Sequence, residues 1–152
     1  MALNEKYDEI KWPVSNYLFL EKTGPFQETA PACWQEFHKV FPQLLTDYPK
    51  KAVASLYKVS PTMLYRAGMM TDSAPSKLPD GVRHEKFQGG KYIRFTLTGS
   101  FSQLPEACGK VFEIVKAKNI ALREDFYIEN YVTDPRVTPE DQLVTEILVP
   151  VK

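Results

Sequence analysis

The sequence predicts an α+β fold made of two tandem β-α-β-β repeats. Three observations carry that expectation. Short aromatic and β-branched runs alternate with two stretches of helical periodicity. Each helical stretch follows one strand-like run and precedes two more. The second half also lies beneath the first at a constant offset of 75 residues. Tyr92, Thr98, Gly99, Phe101, Ala107, Cys108 and Phe112 repeat Tyr17, Thr23, Gly24, Phe26, Ala32, Cys33 and Phe37. These are seven identities in 22 aligned positions, against roughly one or two expected from average composition. At an offset of 74, Tyr131-Val132-Thr133-Asp134-Pro135 repeats the pattern of Tyr57-Lys58-Val59-Ser60-Pro61. Helices placed alike in two such repeats would cover one side of a shared antiparallel sheet. A seam between equivalent halves is a common place for a pocket.

Taken in order, residues 1–16 read as a lead-in, with Trp12-Pro13 as an extended or edge element. Tyr17 to Thr23 reads as a strand ended by Gly24-Pro25, and a helix is expected from about Ala30 to Phe41. Pro31 suits a first helical turn and Pro42 cannot continue the helix. Cys33, Phe37, Val40, Phe41 and Leu44 fall at helical spacing as its core side. Strands are expected at Ala52 to Val59 and Met63 to Met70 around a Ser60-Pro61 turn, then a loop from Thr71 to Gly81. Gly89-Gly90 leads into a strand at Tyr92 to Thr98, followed by a helix from about Pro105 to Ala117 that buries Cys108, Val111, Phe112 and Val115. Two strands close the chain, Asp125 to Val132 and Leu143 to Val151. Repeat one runs over about 14–72 and repeat two over about 82–151, within a single domain of 152 residues.

Composition narrows the function classes. Nineteen basic residues balance nineteen acidic ones, so no global charge attracts nucleic acid or an anionic membrane. Apolar runs are too short to span a bilayer, and Met1 to Lys11 is unlike a targeting peptide. The expected compartment is cytoplasmic. Cys33 and Cys108 occupy one core position of two different helices, which suits buried free thiols rather than a disulfide or metal pair. His38 and His84 have no ligand-spaced partner, so neither a metal nor a cofactor is expected. Phosphate-binding glycine loops and nucleophile elbows are absent as motifs.

The chemistry concentrates in one strand. Side chains alternate along it, which sets Phe126, Ile128 and Val132 on a core face and Tyr127, Glu129 and Tyr131 on the other. A solvent-facing strand would tolerate that trio equally well. In a partly desolvated cleft, a carboxylate between two phenols would complement a lipophilic cation by charge and by ring contact. Trp34, Tyr57 and Tyr65 join Tyr127 and Tyr131 as candidate lining residues, since an indole or phenol can line a wet cleft. Phe37 and Phe112 read as core.

Several motifs together carry a family resemblance. They are Gly24-Pro25-Phe26 with Trp34, Gly89-Gly90-Lys91-Tyr92, and the ending Glu129-Asn130-Tyr131, Asp134-Pro135, Thr138-Pro139-Glu140, Thr145-Glu146-Ile147 and Pro150-Val151. Over about residues 14 to 151 the chain resembles the GyrI-like small-molecule-binding family, also called the bacterial effector-binding domain. The resemblance implies a saddle-shaped sheet with two helices and a central cleft for small aromatic or hydrophobic compounds, cationic ones included. It also implies that Glu129 reaches into that cleft. The lead-in is too short for a helix-turn-helix segment, so a stand-alone binder without direct DNA contact is expected. It would act as a sensor or sequestering protein. Two rivals use the same surface. One is a hydrolase of cyclopropane-bearing genotoxins, with Glu129 as general base on water. The other is a protein that acts on gyrase or a separate regulator.

Overall fold

Tyr17 and Tyr92, one repeat offset apart, bury their rings and satisfy their hydroxyls in the same way. Tyr17 Oη donates to the Ala54 carbonyl at 2.7 Å and Tyr92 Oη to the Phe126 carbonyl at 2.7 Å. A buried phenol without such an acceptor would be costly, so each tyrosine pins its strand to a neighbouring segment. Around them the computed structural model, which describes residues 1–152, forms eight strands and two α-helices in an α+β fold. These divide into two units, residues 13–89 and residues 1–12 with 90–152.

The 13–89 unit contains β2 (Ser15–Thr23), α1 (Phe26–Asp47), β3 (Ala52–Lys58), β4 (Leu64–Thr71) and β5 (Arg83–Phe87). Its strands are antiparallel in the order β5-β2-β4-β3. α1 lies on β2 and β4, and Leu18, Cys33, Phe37, Leu44, Ala67 and Met69 are fully buried. The helix starts earlier and ends later than Ala30 to Phe41, running through both Pro31 and Pro42. Proline inside a helix removes a donor and costs about 3 kcal/mol in isolation. Burial of Leu44 beyond Pro42 anchors the last turn, and Tyr48 N closes it on the Leu44 carbonyl at 2.8 Å.

The second unit contains β1 (Ala2–Trp12), β6 (Gly90–Thr98), α2 (Leu104–Ala117), β7 (Tyr127–Tyr131) and β8 (Val144–Pro150). Its strands are also antiparallel, in the order β1-β6-β8-β7. Its core gathers Ile93, Phe95 and Leu97 of β6, Ala107, Val111 and Val115 of α2, and Ile147 and Val149 of β8.

Two strands differ from the sequence expectation. The lead-in is β1, an eleven-residue strand on β6. Its register shifts between Asn4 and Asp8, and such a bulge breaks the two-residue alternation by which strands are recognised. β5 is a charged strand in which only Phe87 is buried, so it has no apolar face to betray it. Charges on an outermost strand also discourage pairing with other chains.

Two side chains expected in the core lie outside it. Val132, just past β7, is 54% exposed, because the chain leaves the strand at Tyr131. Phe112 is 37% exposed whereas Phe37 is fully buried. The reason is a rotation of the helix. α1 buries Cys33 and Phe37, but α2 buries Ala107, Val111 and Val115, one residue earlier at the 75-residue offset. One residue is roughly 100° around a helix. That turn carries Cys108 and Phe112 from the core to its flank.

Candidate functional site

β7 holds Tyr127, Glu129 and Tyr131 on the face that carries α2. Glu129 stands opposite Ile147 of β8, and Ile147 opposite Phe95 of β6, both members of the core beneath α2. Tyr127 packs against that same core, and burial pushes its phenol pKa up. Glu129 is half-buried. The Tyr131 hydroxyl donates to Glu129 Oε1 at 3.0 Å, and the Cys108 thiol donates to Glu129 Oε2 at 3.5 Å. Both carboxylate oxygens therefore accept bonds from groups that the strand and the helix bring together.

Aromatic edges frame this carboxylate. The Phe101 ring meets Tyr131 edge-on at 5.5 Å and 70°, and Phe112 meets Tyr127 at 5.4 Å and 82°. Edge-to-face pairs of this kind add to what area burial alone contributes. An open hollow of about 380 Å³ nearby is lined by Ser100, Phe101, Pro135, Thr138, Glu140 and Leu143. It shares Phe101 with the Tyr131 pair, but none of Tyr127, Glu129 and Tyr131 lines it.

Trp34, Tyr57 and Tyr65 come together in the other unit. Tyr57 of β3 pairs with Tyr65 of β4, and their rings lie nearly parallel at 6.4 Å and 13°. Both are only 5% exposed. Trp34 reaches down from α1, and its Nε1 donates to Ser55 Oγ at 3.1 Å and Tyr65 Oη at 2.8 Å. Phe26 meets Tyr57 edge-on at 5.4 Å and 70°. The six candidates thus form two groups, one in each unit.

Sequence reasoning missed the second layer around both groups, namely Cys108, Phe101 and Phe112 in one and Ser55 and Phe26 in the other. A signal for part of it was present. Phe26 and Phe101 are identities of the repeat, and Ser55 stands 74 residues before Glu129. Cys108 gave no such signal, because its identity with Cys33 suggested two equivalent core thiols. Cys33 is fully buried and donates to the Leu20 carbonyl at 3.2 Å, whereas Cys108 is half-buried against a carboxylate.

The His38 ring packs against Trp34 at 5.8 Å and 39°, whereas His84 lies outside both groups, its Nε2 2.8 Å from Asn16 Oδ1. No three His, Cys, Asp or Glu side chains are placed to hold a metal ion. No helix is long and apolar enough to cross a membrane.

Several solved structures share this fold. SAV2435 bound to tetraphenylphosphonium matches with a TM-score of 0.74 at 16% identity, over 97% of this chain and 94% of its own. The C-terminal domain of EcmrR gives 0.72 at 14% identity, over 97% of each chain. A hydrolase encoded by lin2189 from Listeria innocua gives 0.63 at 12% identity, over 99% and 94%. At such identities the likeness concerns the fold alone. No curated protein matches the chain in sequence. Residues 5–152, nearly the whole chain, match the GyrI-like small molecule binding domain, and the protein belongs to that family.

Proposed function

We propose that the protein binds small, flat, aromatic or hydrophobic molecules, cationic ones included, with Glu129 as the polar anchor, and acts as a sensor or sequestering protein. One observation carries this reading. A half-buried carboxylate sits mid-strand with hydroxyl and thiol donors on its oxygens, framed by edge-on aromatic pairs. The surrounding rings supply apolar contact, and the carboxylate supplies a counter-charge that offsets the hydration a lipophilic cation loses on leaving water. Membership of a small-molecule-binding family and the fold shared with a tetraphenylphosphonium-bound protein support it. Matching strand orders in the two units, with matched Phe–Tyr pairs, support descent by tandem duplication.

The test is titration with a panel of lipophilic cations and neutral analogues, read by fluorescence quenching and thermal shift. A charge-assisted hydrogen bond contributes about 1.5–3 kcal/mol. Glu129→Gln should therefore weaken the cations roughly 10- to 100-fold and leave the neutral analogues nearly unchanged. Equal affinities for wild type and variant would remove the anchoring role.

A hydrolytic reading has one observation in its favour. Glu129, a half-buried carboxylate with Tyr131 Oη 3.0 Å from its Oε1, offers a general base for water beside a phenol that can position an electrophile. The Listeria innocua hydrolase shares the fold. Incubation with a spirocyclopropane alkylator distinguishes the two. Ring-opened product that disappears in Glu129→Gln would establish turnover, and its absence would leave binding alone.

A further inference from the structure

The two units build the same corner with different side chains. In the 13–89 unit, Cys33 is the core residue of α1 and the next residue, Trp34, reaches over the sheet to Ser55 and Tyr65. In the other unit, Ala107 is the core residue of α2 and the next residue, Cys108, reaches over the sheet to Glu129. The sheet positions correspond as well. Ser55 precedes Glu129 by 74 residues, and Tyr65 pairs with Tyr57 as Thr145 pairs with Tyr131. The Phe26–Tyr57 and Phe101–Tyr131 pairs, at 5.4 and 5.5 Å and both at 70°, hold the two corners in the same geometry.

At the Glu129 corner, the two positions that carry large rings in the 13–89 unit carry small side chains instead. A thiol stands in place of the indole, and Thr145 stands in place of Tyr65. Thr145 is fully buried and its hydroxyl has no hydrogen-bond partner, whereas the Tyr65 hydroxyl bonds to both Ser55 and Trp34. The acceptor has changed in the opposite sense, from a neutral hydroxyl at Ser55 to a carboxylate at Glu129. The donor that complements a carboxylate is an N–H carried by a cation, since charge-assisted bonds are shorter and stronger than neutral ones.

We infer that the corner formed by Glu129, Cys108, Tyr131 and Thr145 takes a planar heteroaromatic cation bearing a ring N–H, in the pose that the Trp34 indole holds over Ser55. The ring lies beside the Cys108 thiol, and its N–H donates to Glu129. This rests on the Glu129-centred binding reading above and narrows its ligand class. A cation of the same shape with no N–H keeps the Coulombic attraction and loses the directed bond.

The experiment compares 9-aminoacridinium, which carries N–H groups, with 10-methylacridinium, the same ring system without them. Each is titrated by fluorescence anisotropy into wild type, Cys108→Trp, Glu129→Gln and Lys110→Trp. The last variant places an indole on an exposed position of α2. Wild type should bind 9-aminoacridinium at least about tenfold more tightly than 10-methylacridinium. Cys108→Trp supplies the indole from within and should lose at least about tenfold for 9-aminoacridinium, while Lys110→Trp binds as wild type does. In wild type, bound 9-aminoacridinium should also protect Cys108 from iodoacetamide in peptide mass spectra, a readout that needs no variant to fold. Equal binding of the two acridinium probes, wild-type binding by a folded Cys108→Trp, or no protection of Cys108 would each overturn the inference. If Glu129→Gln still weakened both probes in that case, the Glu129 site would stand and only its narrowing would fall. Failure of wild type to bind either probe would overturn both.

Discussion

Gly68 offers the sharpest test of how closely β2 packs against β4. It lies in the middle of β4, opposite Phe19 of β2 and Ala54 of β3. The Tyr17 ring lies against it, held by the hydroxyl's bond to the Ala54 carbonyl. A methyl group at this position would stand 2.3 Å from the Leu18 carbonyl oxygen, 2.8 Å from Phe19 Cβ and 2.9 Å from Tyr17 Cε1. Two of those three atoms are backbone or Cβ and cannot swing aside, so β2 and β4 would have to separate. Overpacking a core costs about 1–3 kcal/mol and sometimes more. A collision with backbone places Gly68→Ala near the top of that range, at about 3 kcal/mol. At about 2–4 °C per kcal/mol for a chain of this size, Tm should fall by roughly 6–12 °C. Gly109 provides the contrast. It lies exposed on α2, and a side chain there would meet no atom within 4 Å. Gly109→Ala should stabilise by about 0.5–1 kcal/mol, through lower unfolded-state entropy and better helix propensity. Urea unfolding followed by circular dichroism at neutral pH, with parallel thermal melts, measures both. A loss below about 0.5 kcal/mol for Gly68→Ala would refute the packing argument.

Two further expectations concern charge and the helix flank. Burial pushes the Glu21 carboxyl pKa up, but Arg66 and Arg83, bonded to its two oxygens, outweigh that and hold it below its ordinary value. A folded pKa below the unfolded one means that this carboxylate stabilises the fold at neutral pH. The contribution is lost as pH falls through the folded value. Urea stability should therefore decline between about pH 5 and pH 3, and Glu21→Gln should be weaker at pH 7 with a shallower decline; parallel curves would contradict this. Phe37→Ala should cost about 3–5 kcal/mol and Phe112→Ala only about 1–2 kcal/mol, despite their matching positions in the repeat. Equal losses in a urea titration would show that the two helices bury the same side.

Much of the fold was legible because alternation and helical spacing are local properties. Tyr17 to Thr23 and Tyr92 to Thr98 announce strands by their own side chains, and Val111 and Val115 mark a buried helical face. β1 and β5 were hidden for opposite reasons. A bulge destroys the alternation of the first, and the second has no apolar side to alternate. Pro31 and Pro42 suggested helix boundaries that tertiary burial of Leu44 overrides.

By itself, the sequence determined the α+β class, the repeated order of elements and the family resemblance, and it singled out Glu129 from nineteen acidic residues as the candidate anchor. Tertiary structure decided what that carboxylate meets. The one-residue displacement of the buried face of α2 brings Cys108 to Glu129 and Phe112 to Tyr127, while α1 keeps the matching Cys33 and Phe37 in its core. Such a rotation follows from how a whole helix settles on its sheet, and two helices carrying the same identities can settle differently. Packing likewise separates Gly68, which must stay small because Tyr17, Leu18 and Phe19 of the paired strand β2 press against it, from Gly109, which faces open space. Local sequence records which residues tend to turn inward; only packing records what stands opposite them.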